Sequence, residues 1–153
     1  MFTSDHLYVI ADSATEYDPV AAWAARDGVI APVDTAVFVL AGTPAGVVDL
    51  ELVFLPLEGR LPDVPRDVVA AACDIHFPSG SIDVRSWDHM LVERRALPSS
   101  RPCRVLVTVK GRDDAFNGAG VPEVHRVWVA QAPAPTPRWR SMASDAVAGH
   151  LGP

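Results

Sequence analysis

Apolar and polar residues alternate with a period of two along Cys103-Arg104-Val105-Leu106-Val107-Thr108-Val109-Lys110-Gly111. Cys103, Val105, Val107 and Val109 fall on one face, and Arg104, Leu106, Thr108 and Lys110 on the other. That is the pattern of a half-buried strand in an antiparallel sheet. Read the same way from the start, His6 to Ala11 predicts a first strand, and the polar, acidic Asp12 to Pro19 a loop closed by proline. Val20 to Arg26 has helix-forming composition, with Asp18 suited to cap it, Pro19 to its first position, and Asp27-Gly28 to stop it. Trp23 is expected to pack its ring against the sheet.

Gly28 to Val33 reads as a short extended piece and Thr35 to Ala41 as a central strand, nearly all apolar. Turn chemistry follows at Gly42-Thr43-Pro44-Ala45-Gly46, and Val47 to Leu57 alternates with Val48, Leu50, Leu52 and Phe54 on one face. These two strands are expected to pair as a hairpin. After the proline-broken Glu58 to Arg66, strands are predicted over Asp67 to Phe77, Ser81 to Ser86 and Met90 to Leu97. A long polar loop spans Arg112 to Pro122, and a last strand Glu123 to Gln131 is ended by Pro133, Pro135 and Pro137.

The count is about eight strands with one short helix near residues 19–26: an all-β, single-domain antiparallel β-sandwich over residues 1–132. A Pro-rich tail over 133–153 is expected to form a short helix or to stay disordered.

Composition adds little to that architecture. The 153 residues, 49% hydrophobic and 21% charged, suit one globular domain. The longest apolar run, Ala36 to Gly42, is far short of a membrane helix, and Met1 to His6 lacks the basic and apolar regions of a signal peptide. A cytoplasmic protein without a membrane partner is expected. Cys73 and Cys103 are expected as buried, unbridged thiols. The scattered His6, His76, His89, His125 and His150 lack the ligand spacing of a zinc site, so no metal and no cofactor are expected.

Charge is unevenly placed. Residues 1–76 hold twelve acids against three arginines, a net −9, whereas residues 77–153 carry +3. An acidic chain with a single lysine disfavours direct nucleic-acid binding and favours a basic protein partner. Nucleotide-binding, nucleophile-elbow, zinc-protease and EF-hand motifs are absent from the sequence. Asp74 shares a strand face with His76, and Asp88 precedes His89, but nothing marks a nucleophile for either pair. Adjacent Asp113 and Asp114 do not make a hard-cation site by themselves. Arg138-Trp139-Arg140 reads as surface charge around a packing tryptophan, or as a partner contact.

The order of elements resembles the DNA-entry nuclease inhibitor family of the competence protein J type. The features that carry the resemblance are the HLYVIA strand, the loop leading to Trp23 and Asp27-Gly28, the Ser79-Gly80-Ser81-Ile82 turn into a strand, and Leu97-Pro98 ahead of the Cys103 strand. Where a glycine-aromatic-arginine lead-in is expected, this chain has Ser100-Arg101-Pro102-Cys103-Arg104, keeping the arginine only. The resemblance implies a non-enzymatic protein that binds and silences a nuclease. An acidic surface suits that role, because a nuclease presents a basic groove for phosphate. The acids expected to meet such a partner are Asp12, Glu16 and Asp18 in the first loop, with Asp113 and Asp114 in the last. The alternative is a small-molecule-binding sandwich or barrel with an apolar interior pocket. A hydrolase site assembled across strands would leave no linear motif, and homo-oligomerisation stays open.

Overall fold

The computed structural model describes residues 2–4, 6–56, 59–118, 122–132, 137–141, 143 and 147. Eleven strands and two short helices run in the order β1 (Phe2–Ser4), β2 (Leu7–Asp12), α1 (Pro19–Ala24), β3 (Ile30–Val33), β4 (Ala36–Leu40), β5 (Ala45–Phe54), β6 (Val69–Ile75), β7 (Ser81–Ser86), β8 (Leu91–Ala96), β9 (Cys103–Lys110), α2 (Arg112–Phe116), β10 (Glu123–Gln131) and β11 (Trp139–Arg140). One sheet runs β8-β7-β2-β4-β3 and the other β11-β6-β9-β10-β5, with β1 pairing to both β2 and β5. The two layers form the expected β-sandwich.

Tertiary pairing departs from the sequence expectation in four places. β4 and β5 do not form a hairpin: β4 pairs with β2 and β3, and β5 pairs with β1 and, in parallel, with β10. The turn at 42–46 therefore carries the chain from one layer to the other, which alternation within each strand does not encode. Three strands join the expected eight, namely β1, β3 and β11. β11 lies in the predicted tail, where Trp139 pairs with Ala72 and Arg140 with Ala71. The polar segment after β9 opens as helix α2. The expectation for Pro133 and Pro135 lies outside the described residues, as do 119–121 of the predicted loop and the tail from 148 onward.

Between the layers, Tyr8, Ile10, Val37 and Val39 meet Cys73, Cys103, Val105, Val107, Val127 and Val129 in one apolar core. A second core covers the outer face of the first sheet, where Leu7, Val9, Phe38 and Leu40 pack with Ala22 of α1 and are flanked by Tyr17, Trp87 and Phe116. A third places Leu61, Val64 and Trp128 over Ala70, Ala72 and Leu106 of the second sheet. β2 and β4 are thus buried on both faces, the reason neither alternates in sequence.

One polar network crosses the core. Glu123 and His125 are two residues apart on β10 and share its inward face. The Tyr8 hydroxyl lies 3.0 Å from His125 Nδ1, and His125 Nε2 lies 2.6 Å from Glu123 Oε1. The Glu123 carboxylate also accepts the Gly42 amide, at 3.0 and 2.9 Å, and the Thr43 amide at 3.3 Å. Tyr8, Glu123 and His125 are all fully buried. Burial first, and the Glu123 charge second, push the Tyr8 hydroxyl well above its ordinary range. It therefore stays a neutral hydroxyl, hydrogen-bonded to the His125 ring.

Arg112 closes the same corner. It is buried, and its Nη1 donates to the Gly28 and Leu40 carbonyls at 2.9 and 3.1 Å. A Cβ on Gly42 would stand 2.3 Å from the Arg112 carbonyl oxygen, so only glycine fits there. Gly111, with φ of 74°, turns the chain from β9 into α2 in the left-handed region. This buried arginine is what orders a stretch that its polarity marks as loop.

Two predictions follow from the core. Tyr8→Phe leaves His125 Nδ1 without its hydroxyl partner in a dry site and lowers unfolding free energy by about 1–3 kcal/mol; a denaturant midpoint equal to the parent's would exclude the network as a source of stability. Cys73 and Cys103 are free and buried, and burial pushes the Cys73 thiol up to about 12. Neither thiol should react with a disulfide reagent at pH 8 in the folded chain, and both should react after unfolding without reductant; an oxidised pair would contradict the core described.

Candidate interaction surface

The outer face of the first sheet carries Tyr17, Trp87 and an apolar recess that Trp23 helps to line. Its shape begins at Asp12. This acid is buried, and its two carboxylate oxygens accept the Ala14 amide at 2.9 Å and the Ser79 amide at 2.8 Å. Burial alone would raise its pKa, but those amide hydrogen bonds outweigh it and hold the carboxyl below its ordinary value. Asp12 thereby shapes the loop that follows, with help from a Thr15–Thr35 hydroxyl contact of 2.7 Å.

Beyond Asp12 the loop exposes Glu16 and folds Tyr17 back onto the sheet. The Tyr17 ring stands edge-on to Phe38, with centroids 5.3 Å apart, and its hydroxyl lies 3.3 Å from His89 Nδ1. Asp18 is exposed and caps α1 as expected, its Oδ1 accepting the Val20 and Ala21 amides at 2.8 and 3.3 Å with Pro19 in the first turn. Two turns bury only one side chain, Ala22. Trp23, expected to pack on the sheet, is 43% exposed, and Val20 is 77% exposed. Between α1 and Trp87 lies an apolar recess of about 440 Å³, with Leu7, Ala22 and Phe38 among its lining residues and Val20 and Trp23 at its edge.

The remaining predicted acids sit on α2, where Asp113 is half-buried and Asp114 exposed. α2 is anchored through Arg112 at Leu40, which pairs with Leu7 at the start of β2, whereas Asp12 ends that strand. The two acidic segments therefore leave from opposite ends of β2. Tyr17 of the first segment and Phe116 of α2 nevertheless pack against the same outer core.

Other pairs noted in the sequence find separate partners. Asp74 pairs with Arg104 at 2.7 Å and His76 with the Ser100 carbonyl at 2.8 Å, so no Asp74–His76 relay is assembled. Asp88 accepts from Ser86, and His89 turns to Tyr17. Arg138 and Arg140 hold the segment after α1 through Asp27 Oδ2 at 2.8 Å and the Asp27 carbonyl at 2.5 Å. Among the described residues no group of three metal-ligating side chains occurs, and no helix is long and apolar enough to cross a membrane.

Three features escaped the sequence reading. Glu123 and His125 share a β10 face with Val127 and Val129, and a polar pair on a core face was the signal available. Arg112 gave no signal. Fully buried Asp83 binds Arg85 and Arg94, each at 2.6 Å, and the Arg94 hydrogen bond leads in holding its carboxyl below the ordinary value.

Both depressed carboxyls predict an acid limit to stability. A lowered folded pKa stabilises the protein above the unfolded carboxylate value of 3.8 and is lost as pH falls through the folded value. Asp12→Asn cannot accept two amides and should lower stability by about 1–3 kcal/mol at pH 7. It should also flatten the fall in melting temperature below about pH 4. A parent-like acid limb in the variant would remove Asp12 from that account.

No family model matches the chain, and no curated protein sequence matches it. Among solved structures, it is similar to ComJ from Bacillus subtilis, described as an inhibitor of the DNA degrading activity of NucA. The likeness has a TM-score of 0.58 at 13% sequence identity and covers 86% of this chain and 94% of ComJ. The two proteins share the sandwich fold nearly end to end.

Proposed function

We propose that this chain is a non-enzymatic, nuclease-inhibitor-like protein that binds a basic protein partner through the outer face of its first sheet. The observation that carries the reading is an apolar recess on the outer face beside the segment that exposes Glu16 and Asp18, with Phe116 of α2, the helix that bears Asp113 and Asp114, packed on the same outer core. An apolar centre within a polar rim is the anatomy of a protein interface. Acids at the rim steer a basic partner towards that centre and accelerate association at low salt. The shared fold with an inhibitor of a DNA-degrading enzyme supports the same class of partner. In this reading Asp12 contributes by shaping the loop that carries Glu16 and Asp18.

A small-molecule binder is the second reading, favoured by the 440 Å³ recess. That recess lies on the outer face rather than between the sheets, where the apolar core packs.

The test is capture of partners from native lysate at low and high salt, read by mass spectrometry and followed by a DNA-degradation assay on any nuclease retained. A basic nuclease held at low salt, released at high salt and silenced by the pure protein is the expected outcome. The variant Glu16→Gln/Asp18→Asn/Asp113→Asn/Asp114→Asn should keep its melting temperature within a few degrees and lose at least about tenfold in association rate. Unchanged capture by that variant would sink the role of the acids.

A further inference from the structure

We infer that the outer face of the second sheet carries a site for a small apolar monocarboxylate, a binding activity separate from the interface on the first sheet. Thr108 and Lys110 stand two residues apart on β9 and so share a face, while Val107 and Val109 between and before them fill the main core from the other side. In register on β10, Arg126 lies beside Thr108 and Val124 beside Lys110, and Trp128 lies beside Leu106 one step further on. The proline-containing segment ahead of β6 crosses this face, where Val64 and Trp128 pack on the same third core. A recess of about 320 Å³ is left between them, with Val64 and Pro65 on one side and Thr108, Lys110, Val124, Arg126 and Trp128 on the other.

The lining differs in kind from the recess beside α1, because charged and hydroxyl groups here stand among the apolar ones. Arg126 is committed to Glu51, its neighbour in the parallel β10–β5 register, at 2.5 Å. Lys110, the single lysine of the chain, has no acid partner among the described residues, and the Thr108 hydroxyl has no hydrogen-bond partner among them. Asp63 is the one carboxylate in the lining, so two cations and one acid leave an excess of one positive charge.

That excess, in a chain whose net charge is −6, selects the occupant. A neutral apolar guest would leave the Lys110 ammonium and Thr108 hydroxyl without a counterpart. A cation would be repelled by Lys110 and Arg126, and a dianion would exceed the available charge beside Asp63. A monocarboxylate offers oxygens to Lys110 and Thr108 and an aromatic or aliphatic body to Val64, Pro65, Val124 and Trp128. Its size is bounded by a volume at the small end of ligand pockets.

The probe is 2-naphthoate titrated into the full chain by calorimetry, with 2-naphthamide and 2-naphthylmethylammonium as comparison arms of nearly the same shape. The expected result is one saturable naphthoate site, at least about tenfold weaker binding of the amide, and no uptake of the ammonium. Lys110→Met keeps the apolar stem and removes the charge, and should weaken naphthoate about tenfold while leaving the amide within about twofold. Thr108→Val keeps the shape and should weaken naphthoate about threefold. Lys110 is exposed, so its substitution should leave the melting temperature within a few degrees and test the site in a folded chain. Naphthoate binding unchanged by Lys110→Met would place the ligand elsewhere, as in the recess beside α1, and overturn the inference. Equal affinity for acid and amide, or no saturable binding at millimolar naphthoate, would overturn it too. None of these outcomes bears on capture of a protein partner by the first sheet, which is tested separately.

Discussion

The carboxylate of Glu123 is the point at which the two sheets and their crossover connection are joined. It is fully buried, and a buried charge is costly unless its surroundings satisfy it. Here the satisfying groups come from different parts of the chain: the Gly42 and Thr43 amides after β4, and His125 on β10, which passes the link to Tyr8 of β2. The geometry is demanding because every member must be in place at once. It ties the first sheet to the second at the position where the chain crosses between them, and Arg112 packs its backbone against Gly42 beside it.

That corner also organises the surface. By holding the segment from Leu40 to Thr43, the network and Arg112 set where α2 starts, and so where Asp113, Asp114 and Phe116 stand relative to the outer face. At the far end of β2, Asp12 does the corresponding work for the loop leading to Glu16, Asp18 and α1. Two buried acids thus place the exposed ones, a division of labour between carboxylates that total charge does not reveal. Beside α1 lies an aromatic recess, left open because a two-turn helix covers the sheet with alanine while Val20 and Trp23 stay exposed.

The fold was legible to the extent that strand patterns are local. β7, β9 and β10 occupy their predicted residues, and α1 starts at the proline that Asp18 was expected to cap. The candidate site was legible only as a charge pattern. Glu16 and Asp18 are exposed as their polar context suggests, but Asp12, in the same acidic run, is buried because two backbone amides without strand partners converge on it. Trp23 shows the reverse error, an aromatic residue expected inside and found half outside.

By itself the sequence determined the all-β class, most strand boundaries, the helix cap and the acidic bias of the first half, since these depend on period, propensity and composition over short spans. The tertiary structure decided the partners: the parallel pairing of β5 with β10, the pairing of β11 with β6, and the meeting of Tyr8 with His125 across 117 positions. Alternation assigns a side chain to one face of its strand and leaves open which strand lies alongside or what lies opposite. Those choices are made by the packing of distant segments, which alone creates both the buried network and the aromatic recess.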